Sequence, residues 1–256
     1  MNMPQKIVVG NWKMQLPFDD AYLWVKQNHD KLIEMADSVD AQIVLCPSFD
    51  ALSAIAHLLA DGPVALGAQD CSAFRFGAYT GQVSATSLAQ IGCHYCIIGH
   101  SERRQYNHET DQEIADKMER LFKQGITPIA CIGETKQAYE DKKTEEALTA
   151  QLKPLFARIK TLPYSQMPII IAYEPIWSIG TGIIPEQNYL ETIFHWLNQQ
   201  CTAHLPKKQP YALLYGGSVN DENIQVIKQT PGLSGLLIGS ASIDFQKLNN
   251  IVYLYV

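Results

Sequence analysis

The stretch "AYEPIWSIGTG" (172–182) ends an apolar run on a carboxylate, Glu174, then adds a proline, a tryptophan and two glycines. Four other apolar runs stop on groups that can do chemistry. The first reaches Asn11, with Lys13 two residues on, in "KIVVGNWK", and another reaches His100 in "CHYCIIGHSERR". The last two stop at glycine-rich turns, "YGGSV" and "GLLIGSAS", which carry Ser218, Gly239 and Ser240. A carboxylate, an imidazole, an ammonium and an amide donor are the groups of proton transfer and of anion stabilisation. Glycine-rich turns let backbone N–H groups approach an anion closely.

Each residue also has an ordinary structural explanation. A lysine after a strand is commonly a solvated charge, a histidine before a helix helps to end the strand, and glycines form turns. Glu174 could cap a following helix, but Pro175 disfavours a helical conformation at the residue before it. The argument for one site is that all of them stand at the same end of successive runs.

Those runs must position the groups. Eight short, β-branched segments recur at 6–11, 41–47, 64–70, 93–100, 126–134, 168–175, 211–217 and 235–240. Each is nearly apolar on both faces, which suits parallel strands covered by helices. Helical patterning fills the intervals. "DDAYLWVKQNHDKLIEMAD" is one such segment, and 101–125 reads as a single helix with Ser101 as its N-cap. "KTEEALTAQLKPLFARI" is another, and 185–201 places Pro185 in a first turn. This alternation predicts a (β/α)₈ barrel in one domain spanning 1–256, with its chemistry at the C-terminal ends of the strands. A doubly wound sheet that binds a dinucleotide would carry G-x-G-x-x-G after its first strand, and "GNWK" is no such turn. In an extended chain Asn11 and Lys13 would face the same side.

Composition narrows the partners. A formal net charge of −6 argues against nucleic acid, which requires a basic face, while leaving room for a small anionic substrate held by local donors. No run has the length of a membrane span, and the N-terminal residues lack the apolar core of a secretory signal. The expectation is a cytoplasmic protein with no membrane partner. "IVYLYV" at the end is too short to span and reads as a packed or partner-facing tail. Of the six cysteines, Cys93 and Cys96 form a C-x-x-C, but no second pair completes a zinc site. They read as reduced core residues, with no metal and no cofactor.

"GNWKM", "IIGHSERR", "ACIGET", "AYEPIWSIGTG", "YGGSV" and "GLLIGSAS" occur in an order that resembles the triosephosphate isomerase family over essentially the whole chain. The resemblance implies a cofactor-free homodimer that interconverts dihydroxyacetone phosphate and D-glyceraldehyde 3-phosphate through an enediolate, in glycolysis and gluconeogenesis. It implies Glu174 as base and a neutral His100 as electrophile, a pairing that is this family's own known chemistry and does not follow from the spacing. Lys13 would supply positive charge and Asn11 a hydrogen bond. Glu102 matches a carboxylate with a supporting role, and an ion pair to Lys13 explains it equally well. Gly180, Ser218, Gly239 and Ser240 match positions whose N–H groups surround the phosphate, and "PIWSIGTG" would close as a lid. The loop 71–82, with Thr80 near its tip, resembles the loop that reaches into a second copy.

Three departures stand out against the family pattern. Only Ile183 and Ile184 separate "GTG" from Pro185, where the family's hinge is about two residues longer. Ser240 replaces a commoner glycine, and Gln82 a usual glutamate. Two other readings remain at this point: a phosphosugar aldolase or lyase barrel, which would want a strand-borne lysine, and a barrel kept only as a scaffold.

Overall fold

The structure, a computed structural model, describes residues 5–163, 166–180 and 184–256. The eight strands are β1 (Ile7–Asn11), β2 (Gln42–Cys46), β3 (Ala65–Ala68), β4 (Tyr95–Ile98), β5 (Thr127–Ile132), β6 (Ile169–Tyr173), β7 (Tyr211–Tyr215) and β8 (Gly235–Ile238). Each lies within its predicted run. They pair in parallel in sequence order, and β8 returns to β1 with Val9 opposite Leu237, so the barrel is closed.

Two-sided burial explains the apolar runs. In β6, Ile170 and Ala172 join Val9, Val44, Ile129 and Leu214 inside the barrel, while Ile169 and Ile171 pack outward under the helices. Alternate residues thus fill two cores, and each large aliphatic side chain so buried contributes about 1.5–3 kcal/mol.

The helices are α1 (Phe18–Asp37), α2 (Phe49–Leu59), α3 (Ala85–Ile91), α4 (Ser101–Tyr106), α5 (Asp111–Lys123), α6 (Lys136–Glu140), α7 (Thr144–Thr161), α8 (Gln187–His204), α9 (Ile224–Ile227) and α10 (Phe245–Tyr255). Two details differ from the sequence-based expectation. Residues 101–125 form two helices, α4 and α5. The chain breaks between them where His108 takes φ 55°, and Thr110 with Glu113 makes a capping box that starts a new helix. Pro185 lies ahead of α8, whose cap is Glu186, and not in its first turn. The terminal apolar segment is the last part of α10, and its Leu248, Ile251, Val252 and Tyr255 are buried in the core. All six cysteines are buried and unbonded. No described helix is long and apolar enough to cross a membrane.

Candidate active site

Asn11, Lys13, His100, Glu174, Gly180, Ser218, Gly239 and Ser240 line one cavity of about 690 Å³ at the C-terminal ends of the strands. Glu102 is not part of its wall and reaches the site through Lys13, whose Nζ lies 2.7 Å from Glu102 Oε1.

Asn11 and Lys13 meet in the cavity, but not by strand alternation. Lys13 takes φ 53°, in the left-handed region that costs a non-glycine residue. Its N–H donates to Asn11 Oδ1 at 3.1 Å, and Gln69 Nε2 donates to its carbonyl at 2.8 Å. A tight turn therefore folds the lysine back beside the end of β1.

His100, and not Ser101, is the N-cap of α4. Its Nδ1 accepts the N–H of Glu102 at 3.2 Å. With Nδ1 engaged as an acceptor, Nε2 is the ring nitrogen left to donate. That Nε2 lies 3.2 Å from Glu174 Oε1. The other oxygen of Glu174 accepts the N–H of Ser101 at 3.2 Å. The first N–H groups of a helix have no intrahelical acceptor; here one orients the imidazole and the other holds the carboxylate.

The placement of α4 is fixed from behind. Arg104 donates to the carbonyls of Gly99 (2.8 Å) and Cys131 (3.2 Å) and is paired with Asp111. Arg103 pairs with Asp70 at 2.9 Å and with Glu109, and both carboxylates also hold the buried Lys117, at 2.6 and 2.5 Å. Burial raises the Asp70 carboxyl above its ordinary range. Such pairs fix geometry more than they add net stability.

Glu174 is buried. A Cβ at Gly216 would stand 2.8 Å from its Cγ, so only glycine fits beside it. Below it, burial and then the charge of Glu174 raise the Cys131 thiol well above its usual range, so this cysteine stays protonated.

A second buried glutamate, Glu134, follows β5 and anchors the segment after Glu174. Its Oε1 accepts from Trp177 Nε1 (2.7 Å), Tyr173 Oη (3.0 Å) and Tyr189 Oη (3.2 Å), while its Oε2 has no partner among the described residues. The indole of Trp177 stacks on Tyr139 at 4.3 Å, with Tyr189 edge-on to both rings. Burial raises the Glu134 carboxyl and pushes the Tyr189 hydroxyl up to about 12. Sequence reasoning passed over Glu134, although a charge after an apolar run in "ACIGE" is the signal that singled out Glu174.

At the far end of the cavity, Ser218 Oγ donates to the carbonyl of Ser178 at 2.6 Å, and Gly180 is exposed with φ 70°. Ser240 opens a short 3₁₀ turn, Ser240–Ile243, which Ser242 braces by donating to the Gly239 carbonyl at 2.6 Å. Its first N–H groups need outside acceptors, although so short a turn supplies little dipole. The shortened hinge falls partly on Ile183, outside the described residues.

A family model described as Triosephosphate isomerase matches residues 6–255. The triosephosphate isomerase of Chloroflexus aurantiacus is 37% identical over 251 residues, covering 96% of this chain and 98% of that relative. The proteins of the same name from Thermus thermophilus and Ralstonia nicotianae are 36% and 38% identical, each over 95% of this chain and 96% of its own length.

Proposed function

The chain belongs to the triosephosphate isomerase family and is an isomerase of triose phosphates; from that premise we propose how its own side chains carry the reaction. Glu174 removes a proton from one carbon of dihydroxyacetone phosphate and returns it to the adjacent carbon. The C–H electrons form the enediol double bond and the carbonyl electrons move to oxygen; the hydroxyl proton of the first carbon passes to that oxygen through His100 Nε2, so that the new carbonyl forms at the first carbon as the second is protonated. His100 Nε2–H and Asn11 donate to the two oxygens of that enediolate, and Lys13 balances its charge. Glu102 is a positioning residue, through its ion pair with Lys13 and its N–H on His100. The amides of Gly180, Ser218, Gly239 and Ser240 take the phosphate.

One observation carries this reading: a buried carboxylate lies 3.2 Å from the Nε2 of an imidazole whose other nitrogen already accepts a backbone N–H, with an ammonium in the same cavity. In this state the carboxylate rests on His100 and Ser101. Substrate requires it to leave them, and closure of the segment after Pro175 carries it inward while breaking the Trp177–Glu134 bond. Closure also excludes water, which strengthens each electrostatic contact and protects the enediolate.

The test is a coupled assay in both directions, with chelator present. Interconversion of dihydroxyacetone phosphate and glyceraldehyde 3-phosphate is expected, inhibited competitively by a phosphate-bearing substrate analogue. A protein folded by circular dichroism but inactive in both directions would refute the assignment of roles.

We also propose a single-domain, cytoplasmic protein that works as a homodimer through the loop 71–82. In its support, Phe74 and Tyr79 stack at 3.9 Å on this loop yet stay exposed, as does Phe76, and Met14 beside Lys13 is 95% exposed. Sedimentation should give a dimer, and Tyr79→Asp a monomer of much lower kcat. A fully active wild-type monomer would end the proposal.

A further inference from the structure

The chain has five arginines, and three of them, Arg103, Arg104 and Arg158, are ion-paired. Arg75 and Arg120 have no carboxylate at ion-pair distance among the described residues. These two, 45 positions apart in sequence, line the same cavity of about 330 Å³, whose wall shares no residue with that of the active site. Its wall comprises the root of the loop 71–82, the start of α3 and the end of α5, and contains no acidic residue.

General features of the fold explain only part of this. Arg120 and Lys123 lie in the last turn of α5, where cations offset the helix dipole. Lys123 is already engaged, with Nζ 2.5 Å from Glu119. Arg75 is on a loop with no helix end to serve, and its guanidinium merely lies over the Phe76 ring, 4.9 Å from the centroid. Arg120 is oriented in advance, because its Nε donates to the carbonyl of Ala73 at 3.2 Å and its two terminal nitrogens remain available. In a protein of net charge −6 that pairs its other arginines, two guanidinium groups with no carboxylate at ion-pair distance, Arg75 exposed and Arg120 half-buried, thus face one cavity whose wall carries no acid.

We propose that this cavity is a binding site for a small multivalent phosphate-type anion, held by the guanidinium groups of Arg75 and Arg120 with Lys123 as the outer charge. Guanidinium forks match phosphate oxygens in pairs, and such charge-assisted bonds are the strong ones. An occupant bridging Arg75 to Arg120 ties the loop 71–82 to α5, so occupancy stiffens the loop proposed above as the subunit contact. The argument rests on this cavity alone and does not depend on the roles assigned to Glu174 and His100.

Titration calorimetry with inorganic pyrophosphate tests it, because the active site supplies an internal reference. The wild-type protein should bind two anions per chain, one of which competes with substrate. In Arg75→Ala and, separately, in Arg120→Gln, the non-competing site should weaken by at least about tenfold, while the competing site remains. Repeating the titration with inorganic phosphate and with sulfate shows whether charge or phosphate geometry is read; weaker binding by both is expected, and equal affinity for all three anions overturns the phosphate assignment. Thermal melts confirm that each variant is folded, and Arg120→Lys keeps the charge should the glutamine variant be unstable. A single, competing site in the wild type overturns the proposal. So do two sites of which neither responds to any of the substitutions.

Discussion

Strands β5 and β6 are neighbours, and each is followed by a buried glutamate, yet the two carboxylates are held in different ways. One oxygen of Glu134 receives three side-chain donors, at 2.7, 3.0 and 3.2 Å, and the residue is not part of the active-site wall. Glu174 spreads its contacts over both oxygens, one to a ring nitrogen and one to a backbone N–H, each at 3.2 Å and beside the cavity. Length does not separate the two, since Tyr189 also stands 3.2 Å from Glu134; the difference is that three side-chain donors converge on one oxygen of Glu134, whereas Glu174 meets a ring nitrogen on one oxygen and a backbone N–H on the other. The first arrangement fixes a carboxylate. The second holds one by fewer donors, as the movement proposed for it requires. Position on the barrel supplies the carboxyl group, and the donors around it distinguish the anchor from the base proposed above.

The same substitution at both positions separates those roles. Glu174→Asp keeps the charge but draws it back by one methylene, about 1 Å, and kcat should fall roughly a hundredfold or more. Glu134→Asp draws back an anchor, and kcat should change by no more than about tenfold, mainly through lid motion, seen as an altered dependence on solvent viscosity. Equal losses in steady-state assays of the two variants would show that the distinction has no kinetic meaning.

Trp177→Phe probes the anchor more gently. Phenylalanine retains a ring against Tyr139 but removes the indole donor to Glu134. If closure breaks that bond, losing it favours the closed lid: KM should fall, and kcat should drop by about fivefold as product leaves more slowly, equivalent to about 1 kcal/mol. A rise in KM at unchanged kcat would mean that the bond persists in the closed state.

The sequence announced the barrel clearly, because strands buried on two sides leave unbroken Ile/Val/Leu runs and alternating helices leave their own period. It was less informative where one residue type serves several ends. Nothing in "GHSERRQYNHET" shows that His100 itself caps α4, since histidine is an uncommon cap; that follows only from its Nδ1 accepting the Glu102 N–H. The helix break at Asn107–Thr110 was readable from the Thr110 and Glu113 capping pair, but the continuous polar patterning across 101–125 masked it. Lys13 reaches the cavity through a left-handed turn, a conformation that its residue type does not suggest. Glu134 was visible as a charge after an apolar run, but its three donors lie 39, 43 and 55 residues away along the chain, and only the closed barrel unites them.

The smallest expected effect concerns stability, and it turns on what burial has done to Glu134. Burial is the main cause that raises this carboxyl, outweighing the hydrogen bonds from Trp177, Tyr173 and Tyr189 that favour its charge. A carboxyl raised on folding holds its proton more readily in the native state than in the unfolded chain. Its contribution to stability is therefore fully present below the ordinary carboxylate range, near pH 4, and is lost as pH rises through the raised native value. Glu134→Gln removes that titration while keeping an oxygen for the three donors, at the constant cost of an amide nitrogen where Oε2, unpartnered among the described residues, now lies. Asp70, also raised by burial, is present in both proteins and cancels from the difference. Urea unfolding from about pH 4 to about pH 7 should thus show the variant gaining on the wild type as pH rises, by about 1.4 kcal/mol for each unit by which the native value exceeds the unfolded one. A difference that stays flat would mean that the anchor gives up its proton equally readily folded and unfolded, and that its three donors fully offset the loss of water.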